Sequence, residues 1–289
     1  MTTLPQGLTE AAAQAAIAVA CRELGLPTIA AEAARLADLA VRERWTHRAM
    51  LAAALGAEVD ERASRRVTRR ISEARFPRIK RLLEFDCTVA PTVSPTVLAT
   101  LATGSYLTAG DPVVLLGDSG TGKTHLLIGL GLAACEAGRR VRYTTTAALV
   151  NELVEAADER RLSRVVGHYA RLDLLCLDEF GYLHLDPRGA ELLFQVFTSR
   201  EERASIAVAS NASFSEWGSF FTDARLVAAV VDRLTFRAHI IETGTESYRL
   251  RLTRTQRPSP SAERSQRSSR TASSKSGAGS ADQPGARSD

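Results

Sequence analysis

A chain of 289 residues is long enough for one α/β domain of ordinary core size with a smaller attachment. Its 45% hydrophobic and 24% charged residues are the balance of a globular chain, and the lack of any run of 18 uninterrupted apolar residues excludes one built of membrane spans. The net charge of +4 is modest but uneven: Arg62, Arg65, Arg66, Arg69, Arg70, Arg75, Arg78, Lys80 and Arg81 are opposed within their stretch by Glu73 alone.

Met1 to Glu10 carries no basic segment followed by an apolar run and a cleavage site. The cysteines Cys21, Cys87, Cys135 and Cys176 are scattered among apolar neighbours without Cys-x-x-Cys spacing, as small core residues in a reducing interior are. The expectation is a cytoplasmic protein with no membrane partner.

From about Thr9 to Ile71 the chain is rich in Ala, Leu, Arg and Glu, with apolar residues such as Leu36, Leu39 and Ala40 at helical spacing. This predicts a small helical N-terminal domain over 1–76. One helix is predicted from Glu58 to Ala74, ended by Pro77. On it Arg62, Arg65, Arg66 and Arg69 recur at i, i+3, i+4 and i+7, and with Arg70 they make a basic stripe. Such a stripe is either a solvated face or a contact for DNA phosphates, which would relieve its self-repulsion.

Over 77–252 short apolar runs alternate with longer amphipathic stretches, the pattern of a mostly parallel sheet covered by helices. Strands are predicted at Val113–Leu116, Val141–Thr144, Leu172–Asp178, Ile206–Ser210 and Ala238–Glu242. Helices are predicted at Lys123–Ala137, Ala147–Ala157, Pro187–Arg200 and Ala224–Leu234. The tail, 253–289, has no Ile, Leu, Val, Phe, Tyr, Trp, Met or Cys, so it cannot bury enough to offset its ordering entropy and is predicted to be disordered. Its arginines either add nonspecific attraction to DNA or end an inert linker.

The phosphate-loop pattern is complete in Gly117, Asp118, Ser119, Gly120, Thr121, Gly122, Lys123 and Thr124, directly after an apolar strand and before a helical stretch. Its glycines let backbone N–H groups turn inward around phosphates at the positive end of the next helix. ATP and Mg²⁺ are the expected cofactors, with Lys123 on the β- and γ-phosphates and Thr124 ligating the metal. His125, next in line, supports the loop rather than reacting, because phosphoryl transfer needs no imidazole. Leu174 to Leu177 form a second buried strand ending in two acids. Asp178 is expected to hold Mg²⁺ through water, and Glu179 to orient and polarise the attacking water. Asn211, after the third apolar run, either caps a turn or bridges the γ-phosphate and that water. Trp217 with Phe214, Phe220 and Phe221 makes an aromatic cluster that either packs in a core or between subunits, the favoured reading, or stacks on bases.

These motifs, read together with Asp178-Glu179-Phe180-Gly181-Tyr182-Leu183, Gly189 to Val196, Ser210-Asn211, Phe214-Ser215-Glu216-Trp217 and Asp232-Arg233-Leu234, resemble the IstB family of transposition helper ATPases, AAA+ relatives of the DnaC helicase loaders. Upstream, Glu73 to Lys80 resembles that family's junction between helical region and ATPase domain. The resemblance runs from about Leu24 to Leu252. It implies an oligomeric ATPase that assembles on double-stranded target DNA, bends it and hands it to a partner transposase. It also implies an arginine reaching a neighbouring subunit's ATP, with Arg233 preferred over Arg225, the alternative being pairing with Asp232 or Asp223. Two departures stand out: Ala212-Ser213 replaces an apolar residue and proline, which predicts a looser loop, and the chain after Arg233 is too short for a helical lid. A DnaC-like loader and an ATP-gated switch with slow hydrolysis share the same engine and differ in output.

Overall fold

The computed structural model describes residues 9–245 and 247, except 89, 183 and 222. The tail predicted to be disordered lies outside the described residues. Three helices come first, α1 (Glu10–Leu24), α2 (Pro27–Arg42) and α3 (His47–Ala74). Thr9 and Thr46 cap α1 and α3 by accepting from Ala12 N and Ala49 N, and Pro27 opens α2 where no N–H is needed. The helix predicted from Glu58 begins at His47, because the Ala- and Leu-rich run before Glu58 is itself strongly helix-forming. It stops at Ala74, ahead of Pro77, with Arg75 in the left-handed region at φ 59°.

The arginine stripe is less bare than its local count suggested. Glu58 and Glu61, one turn before the stripe, pair with Arg62 at 2.9 Å and Arg65 at 3.1 Å. Arg62 also donates to the Gly25 carbonyl, and Arg65 Nη2 donates to Thr28 Oγ1 at 2.7 Å. Glu58 is buried and caps α2, accepting from Thr28 N at 2.8 Å and Ile29 N at 3.1 Å. Burial pushes its carboxyl up, but the hydrogen bonds from Ile29, Arg62 and Thr28 outweigh burial and hold it below the ordinary glutamate range. A lowered folded pKa stabilises the fold above the unfolded value and is lost as pH falls through the folded one. Glu58→Gln is therefore expected to lower the melting temperature at neutral pH and to flatten its decline on acidification. Circular dichroism melts from neutral to acid pH check this, and parallel wild-type and variant curves would refute it.

The five strands β1 (Val113–Leu116), β2 (Val141–Thr145), β3 (Leu174–Phe180), β4 (Ser205–Ser210) and β5 (His239–Glu242) form one parallel sheet in the order β2-β3-β4-β1-β5. Both faces are covered, so side chains alternate between two cores. Val114, Leu116, Leu175 and Leu177 point into one with α7 (Thr146–Asp158), α8 (Leu162–Ala170), α9 (Pro187–Arg200) and α10 (Ala224–Thr235). Val113, Leu115, Leu174 and Cys176 point into the other with α4 (Pro95–Ala102), α5 (Ser105–Ala109) and α6 (Lys123–Glu136). Ala74 at the end of α3 is wholly buried in that second core, so the last turn of the helical region is also part of the α/β unit. Among the described residues no helix is long and apolar enough to cross a membrane.

Candidate active site

β1 delivers the chain at the carboxyl edge of the sheet, between β4 and β5, where ligands of parallel sheets collect. The loop from Gly117 to Thr124 follows and runs into α6. Gly117 has φ 145°, and a Cβ there would fall 2.4 Å from Thr243 Oγ1. Thr243 Oγ1 donates to the Leu116 carbonyl at 3.1 Å and shares a 2.6 Å hydrogen bond with Thr121 Oγ1, so the end of β5 braces the loop. Lys123 is buried, with Nζ donating to the Asp118 carbonyl at 2.7 Å, which sets the ammonium across the loop.

β3 brings the two acids beside it and then separates them. The parallel register slips between Leu177 and Phe180, and Glu179 takes φ 57°, a conformation uncommon for a non-glycine residue and found where a site needs a side chain re-aimed. Asp178 stays buried while Glu179 is exposed. The Asp178 carboxylate is fixed on both oxygens, by the Tyr143 hydroxyl at 2.6 Å and by Glu179 N at 2.9 Å. Burial first, then this bond to Asp178, push the Tyr143 phenol up, so it remains a donor at any physiological pH. Asn211 follows β4, which lies between β1 and β3.

Ser119, Gly120, Gly122, Lys123, Thr124, His125, Asp178, Glu179 and Asn211 all line one cavity of about 340 Å³. The sequence-predicted phosphate, metal and water-activating groups therefore meet on common ground, joined by Arg78 and Lys80, which sequence reasoning had placed in a charge run. Tyr143 and Thr243 were also missed: nothing in the strand words around them marks a partner that only the sheet brings near. His125 donates from Nε2 to the Arg81 carbonyl at 2.9 Å and meets the Phe85 ring edge-on. The donor set suits a hard cation shared with phosphate oxygens, namely one threonine hydroxyl and one fixed carboxylate. Among the described residues no group of three or more His, Cys, Asp or Glu side chains makes a cage of its own.

The loop after Asn211 is not loose. Ser210 Oγ accepts from Ala212 N and from Trp217 Nε1, each at 3.1 Å, and Ser213 and Glu216 form a capping box on the turn Phe214–Ser219. Trp217 is fully buried against Phe180 and Phe214, the core packing expected of it.

Arg233 lies elsewhere. It sits near the end of α10, which leads into the start of β5, and lines a different cavity with Gly110, Asp111 and Pro112. Those residues precede β1, so Arg233 is at the opposite edge of the parallel sheet from its own phosphate loop. Its Nε is 2.9 Å from Glu201 Oε2, without hydrogen-bond alignment, and its guanidinium stacks 4.6 Å over the Phe194 ring. Asp232 and Asp223 are not its ionic partners; Asp223 caps α10 by accepting from Arg225 N at 2.8 Å. The exposed Arg225 side chain makes no hydrogen bond or ion pair among the described residues. Arg62, Arg65, Arg66, Arg69 and Arg70 lie along α3, outside the cavity lined by the phosphate loop.

The family described as IstB-like ATP binding protein matches residues 19–256. An insertion-sequence ATP-binding protein of Sinorhizobium fredii is 37% identical over 239 residues, covering 82% of this chain and 80% of its own. Another from Geobacillus stearothermophilus is 36% identical over 236 residues, covering 82% and 94%. Among solved structures, AMPPCP-bound DnaA from Aquifex aeolicus superposes with a TM-score of 0.49 at 24% identity, covering 58% of this chain and 50% of that one. With a phosphate loop, a fixed Asp178 and a re-aimed Glu179 lining one cavity at the edge of a parallel sheet, the chain is an ATPase and belongs to the IstB-like ATP-binding protein family.

Proposed function

We propose that this ATPase is an ATP-dependent, DNA-binding helper of transposition, which assembles as a homo-oligomer on double-stranded target DNA, remodels it, and recruits or stimulates a partner transposase. The relatives' names place them in insertion sequences, and a transposing element needs a protein that engages target DNA. The observation that carries the reading for this chain is α3. Its 28 residues span about 42 Å, it presents basic side chains, and its last turn is rooted in the ATPase core. A cation on this helix is thus tied mechanically to the nucleotide site.

At that site, Thr124 would ligate Mg²⁺ and Asp178 would hold it through water, the ion neutralising charge on the β- and γ-phosphates. Lys123 binds the same phosphates, Glu179 takes up the proton of the attacking water, and Asn211 orients that water against the terminal phosphate. Tyr143 keeps Asp178 in position by donating to it.

The DNA contact is narrower than the full stripe. Arg62 and Arg65 are committed to Glu58, Glu61, Gly25 and Thr28, and removing them would disturb the packing of α2 on α3. Arg66 is exposed without an ion pair among the described residues, and Arg69 holds Glu73 only loosely, at 3.5 Å and with both partners in solvent. Arg70 is half-buried, its guanidinium near Gly138. Each phosphate neutralised on duplex DNA contributes about 0.9 to the slope of log affinity against log salt. Arg66→Ala with Arg69→Ala is expected to flatten that slope by about one to two units and to weaken all sequences alike, since phosphate contacts position without reading bases. Fluorescence anisotropy across a salt series measures it. An unchanged slope would move the DNA contact off α3.

A further inference from the structure

The segment between α3 and the turn Leu82–Glu84 carries a run of positive charge that neither the ATPase chemistry nor the α3 stripe uses. It crosses the start of α6 under firm anchorage. Phe76 packs where a Cβ on Gly131 would come within 2.7 Å of its ring, Leu82 does the same to Gly129, and the Arg81 carbonyl accepts from His125. Between these anchors Arg78 and Lys80 line the same cavity as Asp178, Glu179 and Asn211. Lys80 also lines the adjoining cavity with Glu84, Phe85, Asp86 and Gly122, whereas Arg78 lines only the cavity that holds Asp178 and Glu179.

Their neighbour Arg81 is satisfied by Glu136 at 2.5 Å. Arg78 and Lys80 make no ion pair among the described residues, even with the carboxylates of their own cavity. Two cations on a segment anchored at both ends, lining a phosphate site and without an ion pair to the acids there, are arranged for an anion. A guanidinium offers the forked donors that match phosphate oxygens.

We propose that Arg78 contacts the terminal phosphate of ATP in the same subunit, with Lys80 on the inner phosphates, so that the junction segment reads the nucleotide and transmits its state to α3. Hydrolysis removes the phosphate that Arg78 holds and frees the segment on which the end of α3 depends. The contact acts in cis, unlike a finger from a neighbour, and needs no DNA.

Equilibrium titrations of the full chain with fluorescent mant-ATP and mant-ADP, without DNA, test it. Arg78→Gln is expected to weaken ATP about 10- to 100-fold, the range of a charged hydrogen bond, and to leave ADP within about threefold of wild type. Lys80→Gln should weaken both nucleotides together. Arg78→Lys should recover part of the preference for ATP, and Arg75→Gln, on the same segment but outside the cavity, should keep all of it. AMPPCP, unlike ADP, should protect the 75–81 segment from trypsin in the wild type and fail to do so in Arg78→Gln. Equal losses of ATP and ADP in Arg78→Gln, no loss of either, or an equal shift from Arg75→Gln would each overturn the proposal.

Discussion

Glu179→Gln is expected to bind ATP as the wild type does and to hydrolyse it about 10² to 10⁴ times more slowly, the range that a positioned general base contributes. The amide keeps the size of the side chain and the left-handed turn that aims it, and it loses only the capacity to take a proton. Lys123→Ala is the contrasting variant. Its ammonium is buried under the phosphate loop, so its loss removes charge-assisted bonds to two phosphates and abolishes tight binding. Nucleotide titration and steady-state phosphate release distinguish the two outcomes. A Glu179→Gln protein turning over at the wild-type rate would refute its assignment as the base. The same variant separates motor from switch: if it assembles on DNA with ATP as fully as wild type does, binding rather than turnover drives assembly.

What the sequence made legible follows from how local each signal is. The phosphate loop fixed β1 and the start of α6 because strand, glycines and lysine are contiguous. Helix α9 runs from Pro187 to Arg200 as predicted because Asp186 and Pro187 mark its start within two residues, with Asp186 Oδ1 accepting from Gly189 N at 3.0 Å. Helices α4, α5 and α8 escaped notice; at eight, five and nine residues they are too short for periodicity to stand out.

The site shows the same division. Asp178 was readable at the end of an apolar run, yet Tyr143, which fixes it, sits 35 residues away on another strand and is brought near only by the pairing of β2 with β3. Arg78 and Lys80 were counted as part of a charge run because only the fold turns them into the cavity. The missed pairing of Arg62 and Arg65 in the stripe has a more local cause. Its acids were readable at i−4, in Glu58 and Glu61, but lie just ahead of the stretch in which charges were counted.

Arg233→Ala is expected to leave ATP binding by the isolated subunit intact and to lower assembly-dependent hydrolysis by a factor of about 10³ to 10⁵, the usual worth of a finger acting in trans. The geometry restricts the options. Arg233 is at the far edge of the sheet from its own phosphate loop, so any service to hydrolysis is rendered to another subunit's nucleotide. In the single chain the partly buried guanidinium rests on Glu201, Phe194 and the Ala229 carbonyl, and its Nε is not aligned to hydrogen-bond Glu201, so this pairing is expected to exchange for a triphosphate. Arg225 makes no ion pair among the described residues but sits at the other end of α10, and Arg225→Ala should cost far less. Mixing makes the test decisive. A Glu179→Gln subunit has a dead site and an intact Arg233, while an Arg233→Ala subunit has an intact site and no finger. Co-assembled, they should hydrolyse ATP faster than either alone, because one supplies the arginine and the other the water-activating carboxylate. Mixtures no faster than the sum of their parts, with each protein shown to co-assemble, would reduce Arg233 to a packing residue and return the search to Arg225.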